Sequence, residues 1–435
     1  MALGGGTWTT QNKVLPGTYI NFKSAKNTDF ELAERGIVTM PVEGLGWGPS
    51  GVFKVTVKDF YEDTFKIFGR DYDDDKLKGL RDLFKHAKVA YLYRLDAGGT
   101  KATCALMTAK YEGTRGNDIS FFCKQNIDDD SMFDVFTKID GKTVDKQTVS
   151  KSEDLVDNDY VTFKAGVELV DNTGAQCSGG TDKTVTGEEH SAYLKAIESY
   201  SYNVMGVVTE DDTVKKMYSS FVRRMRDEIG VKFQLVLYNH PADYFGVINV
   251  NNKTLDSDHS PASLVYWVSG AQASCKVNST LLNTLYDGEF TVNTAYTQNE
   301  LADAIANGKF VLHNVGDEVR VLDDINSKVT VTEEENELFK DNQTVRVIDQ
   351  LANEDAILFN TKYIGKIKNN EAGRTALWSD LAKIRKKLQE MEAIEDFNDK
   401  DVTVEKGNDN KSVVVNNVIT ITGTMSKLYI TTVIQ

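Results

Sequence analysis

Three stretches have the residue types and spacing that chemistry would need. The first is Gly46-x-Gly48-x-x-Gly51, which has the glycine spacing that lets a backbone approach a dinucleotide pyrophosphate. That fingerprint must open a helix, so that its N–H groups point at the phosphates. Here Pro49 interrupts it, and Val52-Phe53-Lys54-Val55-Thr56-Val57 follows with the alternation of a strand. A glycine turn packed by Trp47 is the expected structure. The second is Asp71, Asp73 and Asp75, spaced as the first three ligands of a calcium loop. Lys76 stands where that loop needs glycine, and Asp82 where it needs glutamate. These acids are expected instead to cap the helix that follows, because carboxylates stabilise a helix N-terminus. The third is the basic cluster Arg385, Lys386 and Lys387, which reads either as a solvated helix face or as a patch for an acidic partner.

The remaining reactive side chains are scattered. None of His86, His190, His240, His259 and His313 stands at metal-ligand spacing from another His or a Cys. Cys104, Cys123, Cys177 and Cys275 form no CxxC pair, so free, mostly buried thiols in a reducing compartment are expected. There is no GxSxG elbow and no Walker A loop. The expectation is a protein that is not an enzyme and needs no cofactor and no metal.

The 435 residues point to about two to four domains. With 40% hydrophobic and 26% charged residues, the chain has enough apolar surface for a packed core. The net charge of −15 argues against nucleic acid, which needs a basic face, and favours solubility. The opening MALGGGTWTT lacks the basic and apolar regions of a signal peptide, and no run is long enough to span a bilayer. A start in a cytoplasm, without membrane binding, is expected.

Strands are predicted at 35–41, 52–57, 89–95, 202–208, 231–238 and 245–250, and helices at 77–87, 188–200, 214–225 and 261–273. Strands alternating with helices argue for a layered α/β domain. Between 98 and 185 the texture changes to short β runs (119–123, 135–139, 160–163) among Gly, Thr, Asn and Asp, with 140–160 mostly polar. That reads as a β-rich insertion. Further on come short strands at 310–312, 319–322 and 329–331. A helix over 345–359 follows, then a second over about 374–397 striped by Leu377, Leu381, Ile384, Leu388 and Met391. The fold class is therefore mixed α/β: layered core, β-rich inserted domain, and extended β arms at both ends. The expected division is 1–25 arm, 26–97 with 186–325 core, 98–185 insert, 326–410 C-terminal domain and 411–435 arm.

Both arms are extended. Pro16-Gly17 is a turn between strand-like runs. At the other end, Val413, Val414, Val415, Val418, Ile419 and Ile421 precede Gly423, and Leu428, Tyr429, Ile430, Val433 and Ile434 follow it. Two β-branched runs around a glycine connection predict a hairpin. It is either an edge of the chain's own sheet or a strand offered to a neighbour by β-augmentation.

Leu15-Pro16-Gly17-Thr18-Tyr19-Ile20 resembles the N-terminal strand of contractile tail sheath proteins of bacteriophages and phage-tail-like bacteriocins. Arg35-Gly36-Ile37-Val38 through Trp47-Gly48-Pro49, then Phe68-Gly69, is similar to that family's early hallmark. The stretch from Ala109-Lys110-Tyr111-Glu112-Gly113 to Gly116-Asn117-Asp118-Ile119 resembles the entry to its inserted domain, and Ser178-Gly179-Gly180-Thr181-Asp182 the exit. Asp323-Asp324-Ile325-Asn326-Ser327 resembles the turn before its C-terminal domain, with Ser327 where many relatives have Thr. The resemblance spans nearly the whole chain and is weakest within 125–175.

The resemblance implies a structural homo-oligomer: hexameric rings stacked around a tail tube, shortening on a trigger to drive the tube through a target envelope. It implies strand exchange between subunits through Val14, Leu15, Tyr19 and Ile20 at one end. At the other end it implies Val418, Ile419, Ile421, Leu428, Ile430 and Val433. It makes Lys383, Arg385, Lys386 and Lys387 candidate tube contacts. The implied partners are the tail tube protein and the baseplate and tail terminator proteins. The implied place is a virion tail or bacteriocin particle, assembled in a host bacterial cytoplasm. A self-assembling shell or surface-layer subunit is one alternative, and a nucleotide-dependent enzyme using the Gly46 to Gly51 loop is the other.

Overall fold

Apolar β-branched runs bounded by glycine turns build the centre of the molecule. The computed structural model describes residues 34–434. The N-terminal arm expected over 1–25, with Pro16-Gly17, Val14, Leu15, Tyr19 and Ile20, lies outside the described residues.

The described chain opens with β1 (Ile37–Val42), β2 (Val52–Thr56), α1 (Val57–Glu62), α2 (Thr64–Phe68), α3 (Lys78–Phe84) and β3 (Val89–Arg94). Gly46, Gly48 and Gly51 all take positive φ, frame the buried Trp47 and lead into a strand, so the loop forms no helix-end phosphate cradle. Asp71, Asp73 and Asp75 do not cap α3. Asp74 accepts from Lys76 N at 2.8 Å and starts the turn before the helix, Asp75 meets His259 Nε2 at 3.0 Å, and Asp71 pairs with Lys142. A short side chain caps only from the residue just ahead of the turn.

The insert holds β4 (Met107–Ala109), β5 (Ile119–Gln125), β6 (Phe133–Ile139), β7 (Lys142–Val149), β8 (Val161–Phe163) and β9 (Ala175–Gln176). Its main sheet runs β7-β6-β5-β9, all antiparallel. The mostly polar stretch 140–160, where no strand is predicted, contains β7, an edge strand with a mostly wet face. The insert leaves and re-enters the core at a neck. There Thr100 N donates to Thr181 O at 3.2 Å, and Thr114 Oγ1 to Asp182 Oδ2 at 2.6 Å. The buried Arg94 binds Asp96 Oδ1 at 2.6 Å and Asp182 Oδ1 at 3.2 Å. Gly113 sits in this neck at φ 130°, where a Cβ would lie 2.1 Å from Gly46 O. Cys104 and Cys177, far apart in sequence, approach to 3.1 Å between sulfurs, and all four cysteines are free.

The core resumes with α4 (Gly187–Ile197), β10 (Val204–Val207), α5 (Asp212–Arg223), β11 (Gln234–Tyr238), β12 (Val247–Val250), α6 (Leu264–Ser274) and α7 (Gln298–Ala306). Its six-stranded sheet has the order β12-β11-β10-β1-β3-β2, parallel except for the edge strand β2. Parallel strands covered on both faces are apolar throughout, and all four residues of β10 are buried. One face packs Met40, Leu92, Val236 and Ile248 under α3 and α6. The other packs Met205, Leu235, Leu237 and Val247 under α4 and α5.

A two-stranded ribbon follows, β13 (Leu312–Val315) with β14 (Glu318–Val321). The strand expected at 329–331 does not form. Asp243 takes its amides instead, accepting from Val329 N at 2.7 Å and Thr330 N at 2.8 Å. Then come α8 (Asn342–Leu358), α9 (Glu371–Glu390), β15 (Ile394–Glu395), β16 (Val402–Lys406), β17 (Val413–Asn417) and β18 (Thr420–Ile421). Helix α9 stops short of the expected Phe397. Glu392 turns to φ 60°, and Ala393 N donates to Leu388 O at 2.9 Å, a left-handed helix stop.

Candidate assembly interface

Helix α8 is fixed by buried charge. Asp341 caps it, accepting from Thr344 N at 2.7 Å. Arg346 reaches Asp324 at 2.7 Å with both side chains out of water. Burial alone would raise the Asp324 carboxyl, but Arg346, Leu281 N–H and Asn342 outweigh it and hold it below its ordinary range. Asp349 accepts two bonds of 2.6 Å from Arg226, in the turn after α5. Asp355 accepts from Arg385 on α9, one bond at 2.6 Å. The first two pairs tie α8 to the α/β core, and the third ties it to α9.

Arg385 is therefore not available as a surface contact. Its guanidinium is buried against Asp355, on the same side of α9 as Leu377, Leu381, Ile384 and Leu388. Lys383 and Lys386 are exposed and Lys387 is half-buried, beside Asp380, Asp399 and Glu390 respectively. Burial pushes the Asp380 carboxyl up, yet bonds from Lys362, Tyr363 and Lys383 hold it below its usual range.

The hairpin expected around Gly423 is absent. Its first run pairs upstream: β17 lies antiparallel to β16, with Val404 opposite Val415, and β18 pairs with β15, Ile421 opposite Ile394. Val418 N donates to Asp401 O at 3.0 Å, while Ile419 lies between the two pairings. The turn that closes β16–β17 is made by Asp409, which accepts from Lys411 N at 2.6 Å and Ser412 N at 2.8 Å. That signal is readable, since GNDNK separates two alternating runs. A run that finds a partner upstream is no longer free for one downstream. Among the described residues the β16–β17 ribbon has no third strand.

Among the described residues the second run has nothing to pair with. Gln343 Nε2 donates to Thr422 O at 3.0 Å and anchors the root. Beyond it the chain has no regular structure up to Ile434. Leu428 is 83% exposed, Tyr429 88%, Ile430 74% and Val433 80%. Contiguous apolar side chains in water mark a surface waiting for a partner, and β-branched ones suit an added strand. Among the described residues no cluster of His, Cys, Asp and Glu could hold a metal ion, and no helix could cross a membrane.

A doubly wound core with an inserted β domain, a charge-locked helix and an unpaired apolar tail defines a structural subunit made to be joined to others. The chain belongs to the phage tail sheath protein family. Residues 35–95 match the Tail sheath protein Gp18 domain III N-terminal region, 97–182 the phage tail sheath β-sandwich domain, 183–327 its central domain and 334–435 its C-terminal domain. The phage-like element PBSX protein XkdK of Bacillus subtilis (strain 168) is 34% identical, over 94% of each chain. The crystal structure of the sheath tail protein of Desulfitobacterium hafniense superposes with a TM-score of 0.83. It is 35% identical, over 95% of this chain and 99% of that one. The contracted helical sheath of the anti-feeding prophage shares the fold, at a TM-score of 0.57 and 11% identity, over 97% of this chain and 99% of that one.

Proposed function

We propose that this chain is the repeating subunit of a contractile sheath, stacked in hexameric rings around a tail tube and shortening to drive that tube through a cell envelope. One observation carries the reading: the exposed apolar run 428–434, rooted on α8 and left without a strand partner among the described residues. Residues Leu428, Ile430 and Val433 enter a neighbour's sheet, with the two-stranded β16–β17 ribbon as the receiving edge. Val418, Ile419 and Ile421 form the root of the arm, and Val14, Leu15, Tyr19 and Ile20 make the corresponding N-terminal exchange. Lys383, Lys386 and Lys387 face the tube. Arg385 fixes their helix to α8. The division into N-terminal arm, core, insert, C-terminal domain and C-terminal arm belongs to the same reading.

The subunit performs no catalysis and takes no cofactor. Its other contacts are the baseplate and terminator proteins, in a tail or bacteriocin particle assembled in a bacterial cytoplasm. Each shared backbone bond nets only about 0.5–1.5 kcal/mol, but several per arm on every subunit make a tether that survives rotation of the domains. Negative-stain microscopy of the concentrated protein tests this. Hollow tubes with six-fold end views are expected. Flat or closed lattices would replace the sheath by a shell.

A further inference from the structure

Helix α8 carries opposite surfaces at its two ends. Ahead of its N-terminus, segment 329–338 is exposed and acidic. Among the described residues Glu333 and Glu334 make no ion pair, and Leu338 beside them is 57% exposed. Past its C-terminus, loop 362–368 is exposed and basic. Lys366 Nζ donates to the backbone of Thr361 at 2.6 Å, and neither it nor Lys368 meets a carboxylate among the described residues. Ile364 and Ile367 are exposed alongside them.

A groove of about 530 Å³ opens under this loop. Its floor is Phe359, Tyr363, Leu377 and Val413, and its rim includes Lys366, Lys368 and Lys411. The helix between the two patches has 17 residues. At about 1.5 Å per residue they stand roughly 25 Å apart.

Single exposed apolar residues need no explanation. Here, however, the carboxylates without an ion pair (Glu333, Glu334) stand at one set and the lysines without one (Lys366, Lys368) at the other, among the described residues. Subunits of net charge −15 repel one another. A basic groove is a place where an acidic segment reverses that repulsion locally.

We propose that the acidic end of α8 in one copy docks on the basic end of α8 in a second copy. Leu338 enters the groove, and Glu333 and Glu334 face Lys366 and Lys368. The proposal rests on the self-assembly read above and names a second contact for it, made by side chains instead of shared strands. Two different patches meeting make a head-to-tail contact, which propagates when the rotation does not close. The rim charges set register and approach rate, and salt screens them.

Three charge variants of the full chain test the docking: K366E/K368E, E333K/E334K, and all four together. Sedimentation velocity reads association, microscopy reads shape, and circular dichroism checks the fold. Like charges brought face to face should lower association at least about tenfold in each double variant, and the fourfold variant should recover to within about threefold of the native chain. Association of the native chain should weaken as salt rises. Doubles that associate like the native chain overturn the proposal, as does a fourfold variant no better than the weaker double. Loss in K366E/K368E alone, without rescue, would assign the groove to another acidic partner or to residues 1–33, and would also overturn it. Charge-swap rescue of association into flat lattices would uphold the docking while sinking the sheath reading. A native chain monomeric at every concentration would sink both.

Discussion

Helix α8 and the tail after Gly423 belong to the same C-terminal stretch and are built on opposite terms. Along α8, Arg346, Asp349 and Asp355 each find a matched partner, two of them in the α/β core and one on α9. Along the tail, Leu428 to Ile434 find none among the described residues. Breaking a buried ion pair leaves a charge stranded in a low dielectric, so such a helix does not slide on its supports. An apolar strand in water gains by leaving it, so such a tail goes to whatever edge is offered. On the proposed function, the subunit thus separates a part held by buried charge from a connecting part that another molecule would complete.

The largest test removes the connecting part. Deleting Ser426–Gln435 should abolish assembly in microscopy while leaving the thermal midpoint within about 2 °C of the full chain, because the segment is hardly packed. Normal tubes from the shortened chain would end the comparison. The next attacks the part held by charge. Arg346→Met strands Asp324 and should cost about 3–5 kcal/mol by urea unfolding. A loss under about 1 kcal/mol would mean that packing, and not charge, holds α8.

A smaller effect is expected where the two parts join. Gln343→Ala removes the bond to Thr422 O and should cost about 0.5–1.5 kcal/mol. Faster amide exchange at 420–422, with α8 unchanged, would place the boundary there. The smallest effect is a pH dependence in the segment just ahead of α8. The Thr330 hydroxyl, with the Thr330 and Val329 amides, holds the Asp243 carboxyl down to about 2, from an ordinary 3.8. A depressed acid stabilises fully above its unfolded value, and the contribution is lost as pH falls from about 4 through about 2. Between those pH values the native chain should lose more unfolding free energy than Asp243→Asn. Equal losses would show that the exposed clamp does not hold segment 329–330.

The layered core is legible in the sequence because its signals are local. Buried parallel strands such as Val204–Val207 are unbroken apolar runs, and the helix with Tyr218, Phe221 and Val222 keeps its period. Strand β7 is hidden because an edge strand with one wet face is polar. The charge lock on α8 is invisible for a different reason. Arg226 and Asp349 are 123 residues apart, and no local pattern marks which arginine folding will bury. Arg385 shows the cost. It reads as one of three neighbouring cations, yet its position on the helix turns it inward while Lys386 and Lys387 turn out. The terminal hairpin misleads because pairing preference is not pairing choice: GNDNK supplies a nearer turn, and the first run takes it.

The neck of the inserted domain has one more effect. The strand pair at Thr100 and Thr181 brings the excursion back to where it began, so the host sheet is not stretched by what hangs from it. The hydrogen bonds of the tip, around Asn126 to Ser131, stay within the insert. A change of sequence or length at that tip should therefore leave the parallel sheet beneath it in the same register.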